Sequence, residues 1–147
     1  MRIAVASDHA GFIQKQPVID FIESLGHEVV DMGPETDDRV DYPDFADKVA
    51  DAVVRGDVER GVLICGTGIG MSMAADKHPG IRAAVVQTPQ FAELMRAHND
   101  GNVVCLSGRF VPYELNCEIV RTFLETPFEG GRHSQRVEKI MRADRLV

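Results

Sequence analysis

The chain has few cysteines, little positive charge and no long apolar run, and each shortage excludes something. No apolar stretch approaches the roughly 20 residues a membrane-spanning helix needs, so no membrane association is expected. The opening Met1-Arg2-Ile3-Ala4-Val5-Ala6 passes straight into a strand-like segment, which predicts a chain without a secretory leader. The three cysteines, Cys65, Cys105 and Cys117, are odd in number, widely spaced and in no metal-ligand pattern. They suit a reducing cytoplasm better than a disulfide framework. A net charge of −7 argues against general nucleic-acid binding, which depends on neutralising phosphates with Lys and Arg. Repeats, low-complexity segments and linkers are all missing.

What remains is a chain of 147 residues, 44% hydrophobic and 27% charged, the profile of a soluble globular protein and enough for a single core. One domain spanning 1–147 is expected. Its charge is uneven. From Gly131 onward Arg132, Arg136, Lys139, Arg142 and Arg145 face only Glu138 and Asp144. A basic tail on an acidic body implies a partner, either a small anion or the acidic surface of another subunit.

Apolar runs predict strands at Ile3–Ser7, Glu28–Met32, Gly61–Cys65, Ala83–Val86 and Asn102–Leu106. Val18, Phe21, Ile22 and Leu25 recur with the period of a one-sided helix, which is expected to start near Ile13 and keep Pro17 close to its first turn. A second helix follows Pro43 and carries Phe45, Val49 and Val53 inward; a third opens at Ile69. Thr88 and Pro89 begin a fourth, with Phe91, Leu94 and Met95 on one face. A fifth covers about Tyr113 to Leu124, and a C-terminal helix follows Gly130-Gly131. Alternating strands and helices predict a Rossmann-like three-layer α/β/α sandwich with a five-stranded parallel sheet. Ligands of such folds bind beyond the carboxyl ends of the strands.

Four segments could carry chemistry. Cys65-Gly66-Thr67-Gly68-Ile69-Gly70-Met71-Ser72 follows an apolar strand and opens a helix, so its glycines can present successive N–H groups to an anion. It lacks the glycine that a dinucleotide fingerprint requires where Met71 stands, and it has no Walker lysine. A plain tight turn would use the same glycines. A thiol at Cys65 would have its thiolate favoured by the helix dipole, could take a proton from carbon, and would have neighbouring amides to stabilise the oxyanion formed. Cys105 and Cys117, with no such loop, read as buried and inert.

Ser7-Asp8-His9-Ala10-Gly11 ends the first strand, where Asp8 and His9 suit sugar hydroxyls or phosphate and Asp8 equally suits a helix cap. His98-Asn99 closes the fourth helix; His98 continues the stripe of Phe91, Leu94 and Met95, so a core histidine and a proton relay both fit. Arg109 follows the fifth strand, and Arg132 and Arg136 are one helical turn apart with guanidinium forks that match a phosphate dianion. Paired arginines on a solvated helix face would look the same.

Taken together, Ser7 to Gly11, Asp41-Tyr42-Pro43, Cys65 to Gly70, His98-Asn99-Asp100 and Gly130-Gly131-Arg132-His133-Ser134-Gln135-Arg136 resemble the ribose-5-phosphate isomerase B family, which includes galactose-6-phosphate isomerase subunits and allose-6-phosphate isomerases. The resemblance covers nearly the whole chain. It implies a Rossmann-like sandwich, homodimers that sometimes pair into tetramers, an active site at the subunit interface, and neither metal nor organic cofactor. By matching position it implies that Cys65 moves the proton between C1 and C2, and that Gly66, Gly68, Ile69, Gly70 and Ser72 surround the enediolate. Thr67 would assist transfer between the substrate oxygens and His98 would open the furanose ring. Asp8, Tyr42 and Asn99 would hold hydroxyls, with Arg109, Arg132, Arg136 and His9 on the phosphate, some of them from the partner subunit.

The activity so implied is interconversion of D-ribose 5-phosphate and D-ribulose 5-phosphate in the cytoplasm. Allose 6-phosphate, galactose 6-phosphate or a tetrose phosphate are alternative substrates. A sugar-phosphate-binding module without turnover would keep the arginines and glycine loop but has no use for Cys65 and His98.

Overall fold

In the computed structural model, which describes residues 1–146, five strands form one wholly parallel sheet. They are β1 (Arg2–Ser7), β2 (Glu28–Asp31), β3 (Arg60–Cys65), β4 (Ala83–Val85) and β5 (Val103–Ser107), in the order β2-β1-β3-β5-β4. Between and after them run α1 (Phe12–Ser24), α2 (Tyr42–Arg55), α3 (Ile69–Ala75), α4 (Pro89–Asn99), α5 (Tyr113–Glu125) and α6 (Arg132–Met141), closed by a 3-10 turn at Arg142–Leu146. The expected three-layer α/β sandwich is the observed one, with strand ends within a residue or two of the sequence reading.

The two faces of the sheet sort its side chains with a period of two. Ile3 and Val5, Val62 and Ile64, and Val104 and Leu106 join one core with Val18 and Ile22 of α1 and Ile119, Val120 and Phe123 of α5. The residues between them, Ala4 and Ala6, Leu63 and Cys65, and Val103 and Cys105, join the other core with Phe45 and Val49 of α2 and Met71 and Ala75 of α3. Burial on both faces is why β3 reads as an unbroken apolar run rather than an alternating one. Thr88 caps α4 as expected, its Oγ1 accepting the Phe91 N–H at 3.3 Å.

Two helices carry features beyond these expectations. The first helix starts at Phe12, close to the expected Ile13, and Pro17 stands in its second turn. The carbonyl it leaves unpaired belongs to Ile13, which is 79% exposed, so water can serve it. The stripe on α4 is not covered either: Met95 is buried, but Phe91 and Leu94 are 61% and 44% exposed. That stripe lies against the edge strand β4 and Ile140, where no further element among the described residues covers it.

The connections decide where a site can form. The helices after β1 and β5 pack on one face, and the helix after β3 packs on the other. Chains leaving β3 and its two neighbours therefore diverge at the carboxyl edge and open a crevice there.

Candidate active site

Three loops meet at this crevice, and their backbones touch. Asp8 N donates to Ile64 O at 3.1 Å, Gly108 N to Cys65 O at 2.8 Å and Arg109 N to Gly66 O at 3.2 Å. Gly11 has to be glycine, because a Cβ there would stand 2.2 Å from Ile64 O. The Asp8 carboxylate accepts the N–H groups of Ala10 and Gly11 through Oδ1, both at 2.9 Å. It therefore shapes its own loop in the manner of an Asx turn.

Cys65 ends β3 at 4% exposure, and the Gly68 N–H donates to its Sγ at 3.0 Å. Gly68 reaches that position at φ +83°, a conformation open to glycine at little cost. The α3 helix it opens is only seven residues long, so a neighbouring amide, more than the dipole of a long helix, addresses the sulfur. Thr67 Oγ1 accepts the Ile69 N–H at 3.2 Å. Tyr42, the first residue of α2, lies over Gly70 so closely that a Cβ there would come within 2.6 Å of its ring. Arg109 lies along Gly66, and His9 accepts the Val40 N–H on Nδ1 at 3.3 Å, which leaves Nε2 to carry the proton of a neutral ring. Ser72 turns its hydroxyl to Cys105, whose thiol is pushed well up by burial and by neighbouring Cys65 and Asp76; the Ser72 hydrogen bond opposes the shift. Cys105 is thus held as a thiol, in keeping with the inert role expected of it.

The other expected residues are elsewhere. His98 and Asn99 end α4 just before β5 starts, so they lie at the amino edge of the sheet, and α6, which carries Arg132 and Arg136, packs on α4 there through His133 against His98. The loop leading to α6 is tied to α4 by Glu129 N, which donates to Ala97 O at 3.0 Å. Cys65, by contrast, pairs with Ser107 at the far end of β5. Asp8, His9, Tyr42, Cys65, Gly66, Thr67, Gly68, Ile69, Gly70, Ser72 and Arg109 gather at the carboxyl edge as one candidate half-site; His98, Asn99, Arg132 and Arg136 belong to the amino edge as another.

Each half-site has a buried support that the pattern of residues did not disclose. At the carboxyl edge, Gln14 Nε2 donates to Gly108 O and Val111 O, both at 3.0 Å, and Asn116 Nδ2 donates to Gln14 Oε1 at 2.8 Å. Together they hold the loop that carries Arg109. Lys15 Nζ contacts both Asp31 oxygens at 2.8 and 2.9 Å and Pro34 O at 2.7 Å, anchoring the start of the segment that leads to Tyr42.

At the amino edge, Arg96 is buried and bonds Asp100 Oδ1 at 2.8 Å and Gly101 O at 2.6 Å, while Arg82 reaches Asp100 Oδ2 at 3.2 Å. The pair clamps Asp100 at φ +48°, directly after His98-Asn99. Polar residues in helices normally point outward, which is why Gln14, Lys15 and Arg96 gave no sign of this work.

His133 is buried against His98, with ring centroids 4.1 Å apart and planes inclined by 12°. Its proton affinity is lowered first by burial, then by His98, Arg132 and Arg136, with Glu129 opposing. His98, Glu129 and His133 bring ligand atoms within 4.8 Å of one another. Two stacked, nearly parallel imidazoles aim their lone pairs side by side rather than at one point, a poor arrangement for a shared cation.

A crevice with a buried thiol, an amide aimed at its sulfur and an arginine beside the glycine turn, on an α/β sheet, is the kind of site that suits a small anionic ligand. The chain belongs to the ribose/galactose isomerase family, whose model matches residues 3–140. It is 48% identical over 139 residues to ribose-5-phosphate isomerase B of Escherichia coli, covering 95% of this chain and 93% of that protein. The structure of ribose-5-phosphate isomerase B from Clostridium thermocellum superposes with a TM-score of 0.97 at 46% identity, covering 99% of each chain. The enzyme of the same name from Mycoplasma genitalium, solved with ribulose 5-phosphate bound, superposes with a TM-score of 0.94 at 45% identity, covering 99% of this chain and 97% of that one.

Proposed function

We propose that the chain, acting as one domain over 1–147, interconverts D-ribose 5-phosphate and D-ribulose 5-phosphate by proton transfer through an enediolate. The observation that carries this reading is the Gly68 N–H donating to Cys65 Sγ at 3.0 Å inside a glycine-rich turn at the crevice. A base fixed by one loop amide, with other loop amides beside it, meets both needs of the shift: removal of a carbon-bound proton and stabilisation of the oxyanion formed.

In this scheme His98 opens the furanose by taking the proton of the C1 hydroxyl and returning one to the ring oxygen. Cys65 Sγ then takes the C2 proton of the open aldehyde and delivers it to C1, while Thr67 passes a proton from O2 to O1. The amides of Gly66 to Gly70 and Ser72 face the enediolate. Asp8, Tyr42 and Asn99 hold hydroxyls, and Arg109, Arg132, Arg136 and His9 hold the phosphate. Every step balances within substrate and side chains, so no metal or organic cofactor is invoked.

The active unit in this reading is a homodimer, able to pair into a tetramer, working in the cytoplasm. The separation of the two half-sites supports it, because a second copy can supply the amino-edge set to the carboxyl-edge set of the first. The uncovered Phe91, Leu94 and Ile140 are available for contacts between copies. No helix of the described residues is long and apolar enough to cross a membrane.

The test is an assay of purified, chelator-treated protein on ribose 5-phosphate, with allose 6-phosphate and galactose 6-phosphate alongside. Turnover of the pentose with little on the hexoses is expected. A hexose preference would overturn the substrate assignment, and silence on all three would overturn the isomerase reading.

A further inference from the structure

His133 plays no part in the scheme above, yet it is the most deeply placed side chain of the amino-edge half-site. Arg132 and Arg136 remain exposed on α6, whereas His133 is 4% exposed and turned toward α4. Its ring lies flat against that of His98, with centroids 4.1 Å apart. Its Nε2 finds no hydrogen-bond partner among the described residues; Glu129 Oε2, in the loop that leads to α6, lies 3.4 Å away. The helix start also bends to allow this, since His133 N donates to Gly130 O at 3.0 Å and both Gly130 and Gly131 have positive φ. A buried imidazole nitrogen left without a hydrogen bond is costly unless its position serves something.

We propose that His133 is a positioning residue for ring opening: its imidazole, backed by Glu129, is the fixed surface against which the His98 ring is oriented. The inference rests on the reading of His98 as the group that opens the furanose. A side chain at the exposed end of a helix has several rotamers open to it, and an aromatic floor selects among them without consuming either ring nitrogen. Both nitrogens of His98 then remain free for the two proton transfers that ring opening requires.

A double-mutant cycle in the full-length protein tests the proposal, with turnover of ribose 5-phosphate compared for His98→Asn, His133→Ala and the double variant. His133→Ala is expected to lower turnover about 10- to 100-fold, the scale of a misplaced catalytic group. The double variant is expected to be no slower than His98→Asn alone, because a residue that acts only through another has nothing left to lose. Equal slowing on top of His98→Asn, or no effect of His133→Ala, would overturn the proposal.

His133→Phe keeps the stack without the nitrogens and is expected to stay within a few fold of wild type. A Phe variant as slow as the Ala variant also counts against the proposal. Thermal unfolding is followed throughout; if the alanine variant does not fold, His133→Asn, which cannot stack, replaces it in the cycle. Unchanged turnover in His98→Asn would instead strike the reading of His98 itself, a failure distinguishable from that of the positioning role.

Discussion

Cys65 closes β3 beside Ser107, at the carboxyl edge of the sheet, whereas His98 ends α4 ahead of Val103, at the amino edge. Strand rise sets the separation along β5 at about 13 Å, too far for both to act on one five-carbon sugar held by a single chain. If both serve one reaction, two chains must supply them. Mixed dimers of Cys65→Ala and His98→Asn chains then contain one site with both defects and one with neither. Random mixing of two inactive variants is expected to restore about a quarter of wild-type activity, as two-fold symmetry requires. Absence of rescue in mixed dimers verified by mass spectrometry would rule out the shared site.

Replacing Cys65 itself separates catalysis from binding. Cys65→Ala removes the proton acceptor and leaves the arginines untouched, so turnover is expected to drop by about 10³-fold or more while sugar phosphate still binds. Calorimetric titration with ribulose 5-phosphate beside the activity assay checks both halves. Loss of binding together with turnover would mean that the thiol holds the loop rather than moves the proton.

Gly68 links fold and site. At φ +83°, an added Cβ would stand 3.2 Å from the carbonyl carbon and oxygen of Cys105 and from the carbonyl carbon of Leu106. Gly68→Ala is expected to cost about 1–3 kcal/mol in stability and to displace the amide from Cys65 Sγ. Denaturant melts should register the first effect, and a fall in kcat in the still-folded fraction the second.

Asp100 takes the left-handed conformation with Arg82 and Arg96 on its carboxylate, and Arg96 is buried. Asp100→Ala keeps the backbone strain and removes a partner from a buried guanidinium. A loss of about 2 kcal/mol is expected, because the carboxylate is itself partly solvated. Asp100→Asn, which keeps one acceptor oxygen and so can serve one of the two arginines, should recover part of it in the same melts.

The lowered proton affinity of His133 carries a sign for stability. Below its ordinary value of 6.5 the unfolded chain takes up a proton there that the folded chain still refuses, so acid favours unfolding. Stability should therefore decline as the pH falls below 6.5 and level off beneath the folded value. His133→Phe should flatten this decline in melting temperatures taken from about pH 7.5 to about pH 5. An equally steep acid decline in that variant would assign the proton uptake to another group.

The order of strands and helices, both faces of the sheet and the glycine turn after Cys65 were legible in the sequence. Each is a local matter: period, capping and turn chemistry act over a few neighbouring residues. The site motifs were legible as residue types, and the family resemblance assigned them roles. That Asp8, His9 and Cys65 follow strands was legible too; that Arg132 and Arg136 join His98 at the opposite edge, dividing the set between Cys65 and His98, followed only from the folded topology. The supports were hidden for a related reason. Gln14, Lys15, Arg96 and His133 carry the chemistry of surface residues, and their burial depends on partners from 4 to 102 positions away. Tertiary packing alone brings those partners together, because burial of a polar side chain is tolerated only where the fold supplies a matching donor, acceptor or ring at that spot.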